Sequence, residues 1–204
     1  MSEIYAITDD ILTPDETIKD QVLEILQNGV KFIQYRSKKS IQNEEIIKNL
    51  ISLCEDFNAK LIINDNVNLT KKLKAHGVHI GKDDAMLKNT KEFLGNEFII
   101  GVSCYNDINL AINAQNIGAG YVAFGTAFKS ATKPNALLSG IEIISQAKEK
   151  VSLPICIIGG INQDNIADVA TKKPDMIAMI EAIYKPNSIK ENIANLRKKI
   201  HQWT

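Results

Sequence analysis

At 204 residues the chain is long for one ordinary domain, yet within the range of a barrel built as a single unit. Apolar residues at 45% and charged residues at 24% exclude a disordered or fibrous chain. Lys plus Arg equals Asp plus Glu at 24 each, so no global basic field exists to gather nucleic acid or anionic lipid, and any anion must be held by a local site.

In chain order, the apolar run "IYAIT" predicts a strand at 4–8, followed by a helix over 14–28 in which Ile18, Val22, Ile25 and Leu26 keep helical spacing. "VKFIQY" (30–35) leads to a helix over 41–57, "KLIIN" (60–64) to one over 67–75, and "GVHI" (77–80) to one over 85–94. "FIIGVS" (98–103) precedes a helix over 107–117, and "GYVAFG" (120–125) precedes one over 136–149. "PICIIGG" (154–160) is followed by 162–172, and "DMIAMI" (175–180) by 187–201. The strand runs are continuously apolar, as in strands covered on both faces. Pro14 just inside one helix start, and Gly29 and Gly118 just past two helix ends, supply boundary punctuation.

Eight strands alternating with eight helices imply right-handed parallel crossovers, and the count favours a closed (β/α)₈ TIM barrel over a doubly wound sheet. No linker or composition shift divides the chain, so one α/β domain over 1–204 is expected. No apolar run approaches the roughly 18 residues of a membrane span, and "MSEIYAITDD" lacks a signal-peptide core. The expectation is a cytoplasmic protein with no membrane contact. Cys54, Cys104 and Cys156 are far apart and odd in number, which suits reduced structural thiols.

In a parallel barrel the loops after the strands gather on one rim, where active sites sit. Polar residues follow the strands: Thr8-Asp9-Asp10, Arg36-Ser37-Lys38-Lys39, Asn64-Asp65-Asn66, Gly81-Lys82-Asp83-Asp84, Ser103-Cys104-Tyr105, the long stretch 125–136, Gly159-Gly160 and Glu181. The opposite ends carry "NG", "NA", "HG" and "IGAG", which read as tight turns. Asp65 leaves the third strand and Asp83 or Asp84 the fourth. Oxygen ligands from neighbouring loops suit Mg²⁺, a hard cation held by one or two carboxylates plus substrate phosphates. Asn64-Asp65-Asn66 alone is also an ordinary helix-capping turn.

Gln34, Arg36 and Lys38 alternate along a strand end, so period two aims them at the barrel interior or its mouth. Such a row needs anionic partners, and a diphosphate fits the planar Arg fork and the Lys point charge. In "FKSATK", Ser130 and Thr132 are placed to cradle one phosphate and Lys133 to reach another. Gly159-Gly160, after the seventh strand, allows backbone amides to approach an anion. His76 and His79 read as packing residues, and Tyr105 and Phe128 as the walls of an apolar pocket or ordinary packing.

The motifs "YAITD", "IQYRSK", "IINDNVNL", "GVHIGKDD", "IGVSCY", "GYVAFGTAFKSATK", "IGGI" and "IEAI" resemble, in order and spacing over nearly the whole chain, those of the thiamine-phosphate synthase and TenI family. The resemblance implies a Mg²⁺-dependent transferase of thiamine biosynthesis that joins hydroxymethylpyrimidine diphosphate to a thiazole phosphate, giving thiamine phosphate and diphosphate. It implies that Gln34, Arg36, Lys38 and Lys133 hold the diphosphate, and that Asn64 and Ser103 recognise the pyrimidine. Asp65 and Asp84 would bind Mg²⁺, while Ser130, Ala131, Thr132, Gly160, Ile180 and Glu181 would meet the thiazole partner. Arg36, Lys38, Ser103 and Lys133 carry the chemistry in that reading. The partners are small-molecule substrates rather than nucleic acid, and the oligomeric state stays open.

The chain departs from the family pattern at Lys82, where Gln is usual, at Gly125-Thr126 in place of Gly-Pro, at Ser130 in place of Thr, and at Glu181 in place of a Ser that helps bind the thiazole phosphate. An ionised Glu beside a phosphate repels it by about 1 kcal/mol at 4 Å in water. Two other readings stand beside the synthase: a TenI-like thiazole tautomerase, and a non-catalytic barrel that binds a phosphate ligand. The retained diphosphate grip and the absence of a His in the sixth-strand loop count against the tautomerase.

Overall fold

The computed structural model describes residues 2–129 and 138–203, except for the side chain of Asp84. Eight parallel strands close into a barrel in the order β1 to β8: β1 (Glu3–Ile7), β2 (Phe32–Tyr35), β3 (Lys60–Asn64), β4 (Gly77–Ile80), β5 (Ile99–Tyr105), β6 (Tyr121–Phe124), β7 (Ile155–Ile158) and β8 (Met176–Met179). The helices that cover it are α1 (Ile18–Gln27), α2 (Glu44–Asp56), α3 (Val67–Leu73), α4 (Asp84–Leu94), α5 (Ile108–Ile117), α6 (Glu142–Lys148), α7 (Ile166–Thr171), α8 (Glu181–Tyr184) and α9 (Ile189–His201). The closed β1–β8 pairing, with Tyr5 opposite Ala178, excludes the doubly wound sheet.

Alternation along each strand sorts side chains between two cores. Ile4, Ala6, Ile33, Leu61, Ile63, Val78, Ile80, Ile157 and Ile177 point outward and meet the inner stripes of the helices, including Val22, Leu50 and Ile193. Tyr5, Ile7, Ile62, Tyr121, Ala123, Cys156, Met176 and Ala178 point inward. All three cysteines are buried, and burial pushes Cys54 and Cys156 up to about 12, so these two stay protonated.

Several boundaries differ from the sequence expectation for local reasons. Helix α1 begins at Ile18, not at Pro14, whose carbonyl instead accepts from the N–H groups of Thr17 and Ile18 in a preceding turn. The segment "HG" is no turn. Gly77 opens β4, where a Cβ would lie 2.2 Å from the Ile99 carbonyl oxygen, and the left-handed residue that ends α3 is Lys74. The short helix α8 follows β8 directly and escaped the sequence pattern, because four residues are too few to display a helical period.

Candidate active site

The strand ends surround a cavity of about 1460 Å³ at the mouth of the barrel. Of the residues expected at the site, Gln34, Arg36, Asn64, Ser103, Gly160, Ile180 and Glu181 line it. Ser130, Ala131, Thr132 and Lys133 lie outside the described residues, as does the side chain of Asp84.

Gln34 is buried at 4% exposure and donates from Nε2 to the Tyr5 hydroxyl at 3.0 Å. Arg36 follows β2, and Thr8 clasps its backbone: Arg36 N–H donates to Thr8 Oγ1 at 2.9 Å. Its guanidinium stands 4.0 Å from Asp9 Oδ2 and remains partly exposed, free to take a second anion. The period-two expectation does not carry to Lys38. Strand β2 stops at Tyr35, and Asp10 pulls the next residues into a loop by accepting from Ser37 Oγ at 2.6 Å and from Lys38 N–H at 2.7 Å. The Lys38 side chain is exposed on the rim rather than in line with Gln34 and Arg36.

Asn64 ends β3 and donates from Nδ2 to Asp65 Oδ2 at 2.7 Å. Asp65 is exposed and adopts a left-handed backbone at φ 59, which Asp tolerates better than most residues. Its N–H bonds the His79 carbonyl of β4 at 2.8 Å, so the chain after β3 is tied to the neighbouring strand. Asn66 performs the capping role, accepting from Leu69 N–H at the start of α3. Asp83 is likewise a cap, accepting from the N–H groups of Ala85 and Met86, and Asp84 is the first residue of α4. Asp65 and Asp84 thus follow adjacent strands, with hard oxygen donors suited to Mg²⁺ and few enough to leave places for phosphate oxygens and water.

Gly159 and Gly160 both have positive φ, at 112 and 62. A Cβ on Gly159 would meet Thr126 Cγ2 at 2.5 Å, and one on Gly160 would meet the Lys129 carbonyl oxygen at 2.4 Å, so the two glycines let the β7 and β6 loops touch beside the cavity. Ile180 and Glu181 start α8. Glu181 Oε1 is 3.9 Å from Lys185 Nζ, with both side chains more than half exposed. Lys82, on the other hand, extends over the Tyr105 ring at 5.6 Å. Lys185, not Lys82, is therefore the cation paired with Glu181. Tyr105 lines the cavity, whereas Phe128 packs against the outer core.

Sequence reasoning found Gln34 and Ser103 but missed the tyrosines and the histidine that join them on the cavity floor. Tyr5 and Tyr121 hydroxyls lie 2.9 Å apart, Tyr121 Oη is 2.9 Å from His79 Nδ1, and His79 Nε2 is 2.9 Å from Ser103 Oγ. With Gln34 this forms one continuous chain of polar groups across the barrel. Gly101 makes it possible, since a Cβ there would sit 2.1 Å from Tyr121 Cζ. Burial pushes His79 down to about 4, so its ring is neutral near pH 7, and burial raises both tyrosines far above their ordinary value. The missed signal was the parity of Tyr5, His79 and Tyr121, which share the inward positions of their strands with Gln34 and Ser103. His76 is a packing residue, accepting from Leu61 N–H at Nδ1.

The family model for thiamine monophosphate synthase matches residues 4–183. A thiamine-phosphate synthase of Thioalkalivibrio sulfidiphilus is 39% identical over 183 residues, covering 89% of this chain and 87% of that protein. One of Nitrosococcus oceani is 36% identical, covering 98% and 93%. A solved thiamine phosphate pyrophosphorylase from Pyrococcus furiosus superposes with a TM-score of 0.87 at 31% identity, covering 98% of this chain and 96% of that one. By sequence over nearly its whole length and by fold, the chain belongs to the thiamine monophosphate synthase family.

Proposed function

We propose that the chain is a thiamine-phosphate synthase, a transferase that couples hydroxymethylpyrimidine diphosphate with thiazole phosphate to form thiamine phosphate and diphosphate. The observation that carries this reading is the near-complete alignment with proteins of that name, from Thioalkalivibrio sulfidiphilus and Nitrosococcus oceani among others. The tautomerase and non-catalytic readings find no support among these relatives.

Arg36, at the cavity edge with a partly exposed guanidinium, binds diphosphate oxygens in this reading, and Lys38 and Lys133 add cationic charge from the rim loops. Gln34 adds its amide to the diphosphate grip, and Asn64 and Ser103 orient the pyrimidine on the cavity floor. Gly160, Ile180 and Glu181, with Ser130 and Thr132, surround the thiazole phosphate. Asp65 and Asp84 would hold Mg²⁺, which would offset negative charge on the departing diphosphate. Preorganised cations stabilise that charge as the carbon–oxygen bond breaks, and the thiazole nitrogen captures the resulting pyrimidinylmethyl cation. No protein nucleophile is required. A neutral, hydrogen-bonded His79 and buried high-pKa thiols agree with that chemistry.

Among the described residues no helix is long and apolar enough to cross a membrane. A cytoplasmic enzyme acting on small molecules, without a nucleic-acid partner, fits the balanced charge. The decisive experiment incubates purified protein with both substrates, with and without Mg²⁺, and measures diphosphate and thiamine phosphate. Equal release of both products only with metal and both substrates is expected; full turnover in EDTA removes the metal, and no turnover under any condition removes the synthase.

A further inference from the structure

The polar chain on the cavity floor has a direction. Gln34 Nε2 has no lone pair to offer, so it donates to the Tyr5 hydroxyl. Tyr5 is 1% exposed, and its hydroxyl has only one other partner among the described residues, Tyr121. A buried hydroxyl hydrogen left without an acceptor is costly, so Tyr5 donates to Tyr121. Tyr121, also 1% exposed, then passes its own hydrogen to His79 Nδ1, its remaining partner at 2.9 Å. The neutral imidazole accepts at Nδ1 and carries its hydrogen on Nε2, which donates to Ser103 Oγ at 2.9 Å. Ser103 has no second side-chain hydrogen-bond partner among the described residues and lines the cavity, so its hydroxyl hydrogen is free to point there.

We infer that His79, held by Tyr121 in its Nε2–H form, is a positioning residue that makes Ser103 a hydrogen-bond donor to a ring nitrogen of the pyrimidine substrate. This rests on the synthase reading for the ligand but not for the direction of the chain. A pyrimidine ring nitrogen is an acceptor, whereas an exocyclic amine on the same ring is a donor. Reversing the chain would present lone pairs of Ser103 and select the amine instead. The direction therefore gives Ser103 a hydrogen to donate, which a ring nitrogen can accept and an amine hydrogen cannot.

The test begins on the ligand-free protein. Long-range ¹H–¹⁵N correlation spectra of protein labelled at its imidazole nitrogens, near neutral pH, report which nitrogen of each histidine is protonated, and His79→Gln assigns the His79 signal by its loss. His79 is expected neutral with the hydrogen on Nε2. A hydrogen on Nδ1, or a charged ring, overturns the inference, whatever the enzyme's activity. Tyr121→Phe keeps the ring that packs against Gly101 and removes only the hydroxyl. In that variant the His79 signal should shift towards a mixture of the two neutral forms. The KM for the pyrimidine diphosphate should rise about tenfold, with kcat changed less than about threefold, as for loss of one uniform hydrogen bond. An unchanged tautomer in folded Tyr121→Phe also overturns it. If the spectra are as expected but no synthase activity exists, the polarity of the floor stands and only its substrate is lost.

Discussion

Glu181, the first residue of α8, and Lys185, which caps its end, face each other across one turn, with Oε1 and Nζ 3.9 Å apart on the wall of the cavity. The acidic side chain that stands where the family usually has Ser is thus met by the cation of the residue that caps its helix. Exposed pairs of this kind contribute about 0–1 kcal/mol, so the pair matters for charge at the site rather than for stability. Glu181→Ser should lower the KM for thiazole phosphate severalfold at low salt, because it frees Lys185, and Lys185→Ala should raise it. Steady-state kinetics varying the thiazole substrate decide this; an unchanged KM in Glu181→Ser means that the carboxylate does not face the phosphate.

Asp65 combines an exposed carboxylate with a left-handed backbone. Asn accepts that backbone conformation and the same shape, so Asp65→Asn should keep its thermal midpoint while losing turnover by about 100-fold, as expected when a charge-stabilising group is removed. Wild-type turnover in this variant removes Asp65 from the proposed Mg²⁺ ligands.

Gly101→Ala places a methyl 2.1 Å from Tyr121 Cζ, so the buried ring must shift. Overpacking of this type costs about 1–3 kcal/mol, and the displaced hydroxyl breaks the link to His79 as well. Urea unfolding should show the loss, accompanied by a higher KM for the pyrimidine diphosphate. Wild-type stability would mean that the barrel interior yields more easily than its packing suggests.

His79 has a folded pKa pushed down by burial to about 4 from an ordinary 6.5. Between those values the unfolded chain binds a proton that the native state refuses, so stability is complete above pH 6.5 and declines as pH falls towards 4. The slope is about 1.4 kcal/mol per pH unit for one group, or up to about 3 kcal/mol across the window. Burial and the nearby Lys60 lower His76 as well, which adds in the same direction. Urea midpoints measured through this range should fall with pH, and the slope should flatten in His79→Gln. An equal slope in that variant assigns the acid sensitivity to other groups.

Periodicity was sufficient for the alternation of strands and helices, whereas the β1–β8 pairing decided for a closed barrel over a doubly wound sheet. Continuous β-branched runs separated by amphipathic helices leave few ways to bury both faces of a strand, and a parallel sheet covered by helices is the one that this order permits. The same logic put Arg36, Asn64, Asp65, Ser103, Gly160 and Glu181 at the strand ends, because loops after parallel strands must share a rim. What the sequence could not supply was the meeting of residues far apart in the chain. Tyr5 and Tyr121 read as apolar strand positions, and His79 as packing, until closure of the sheet brought β1, β4, β5 and β6 around one axis and joined their hydroxyls and imidazole. Lys38 left its expected row because Asp10, from a different loop, captured its N–H, and Lys185 reached Glu181 through a helix too short for a pattern. Local spacing specifies which way a side chain leaves its own strand. Only the tertiary fold decides what it finds there, since hydrogen-bond partners and charges act through space and not along the chain.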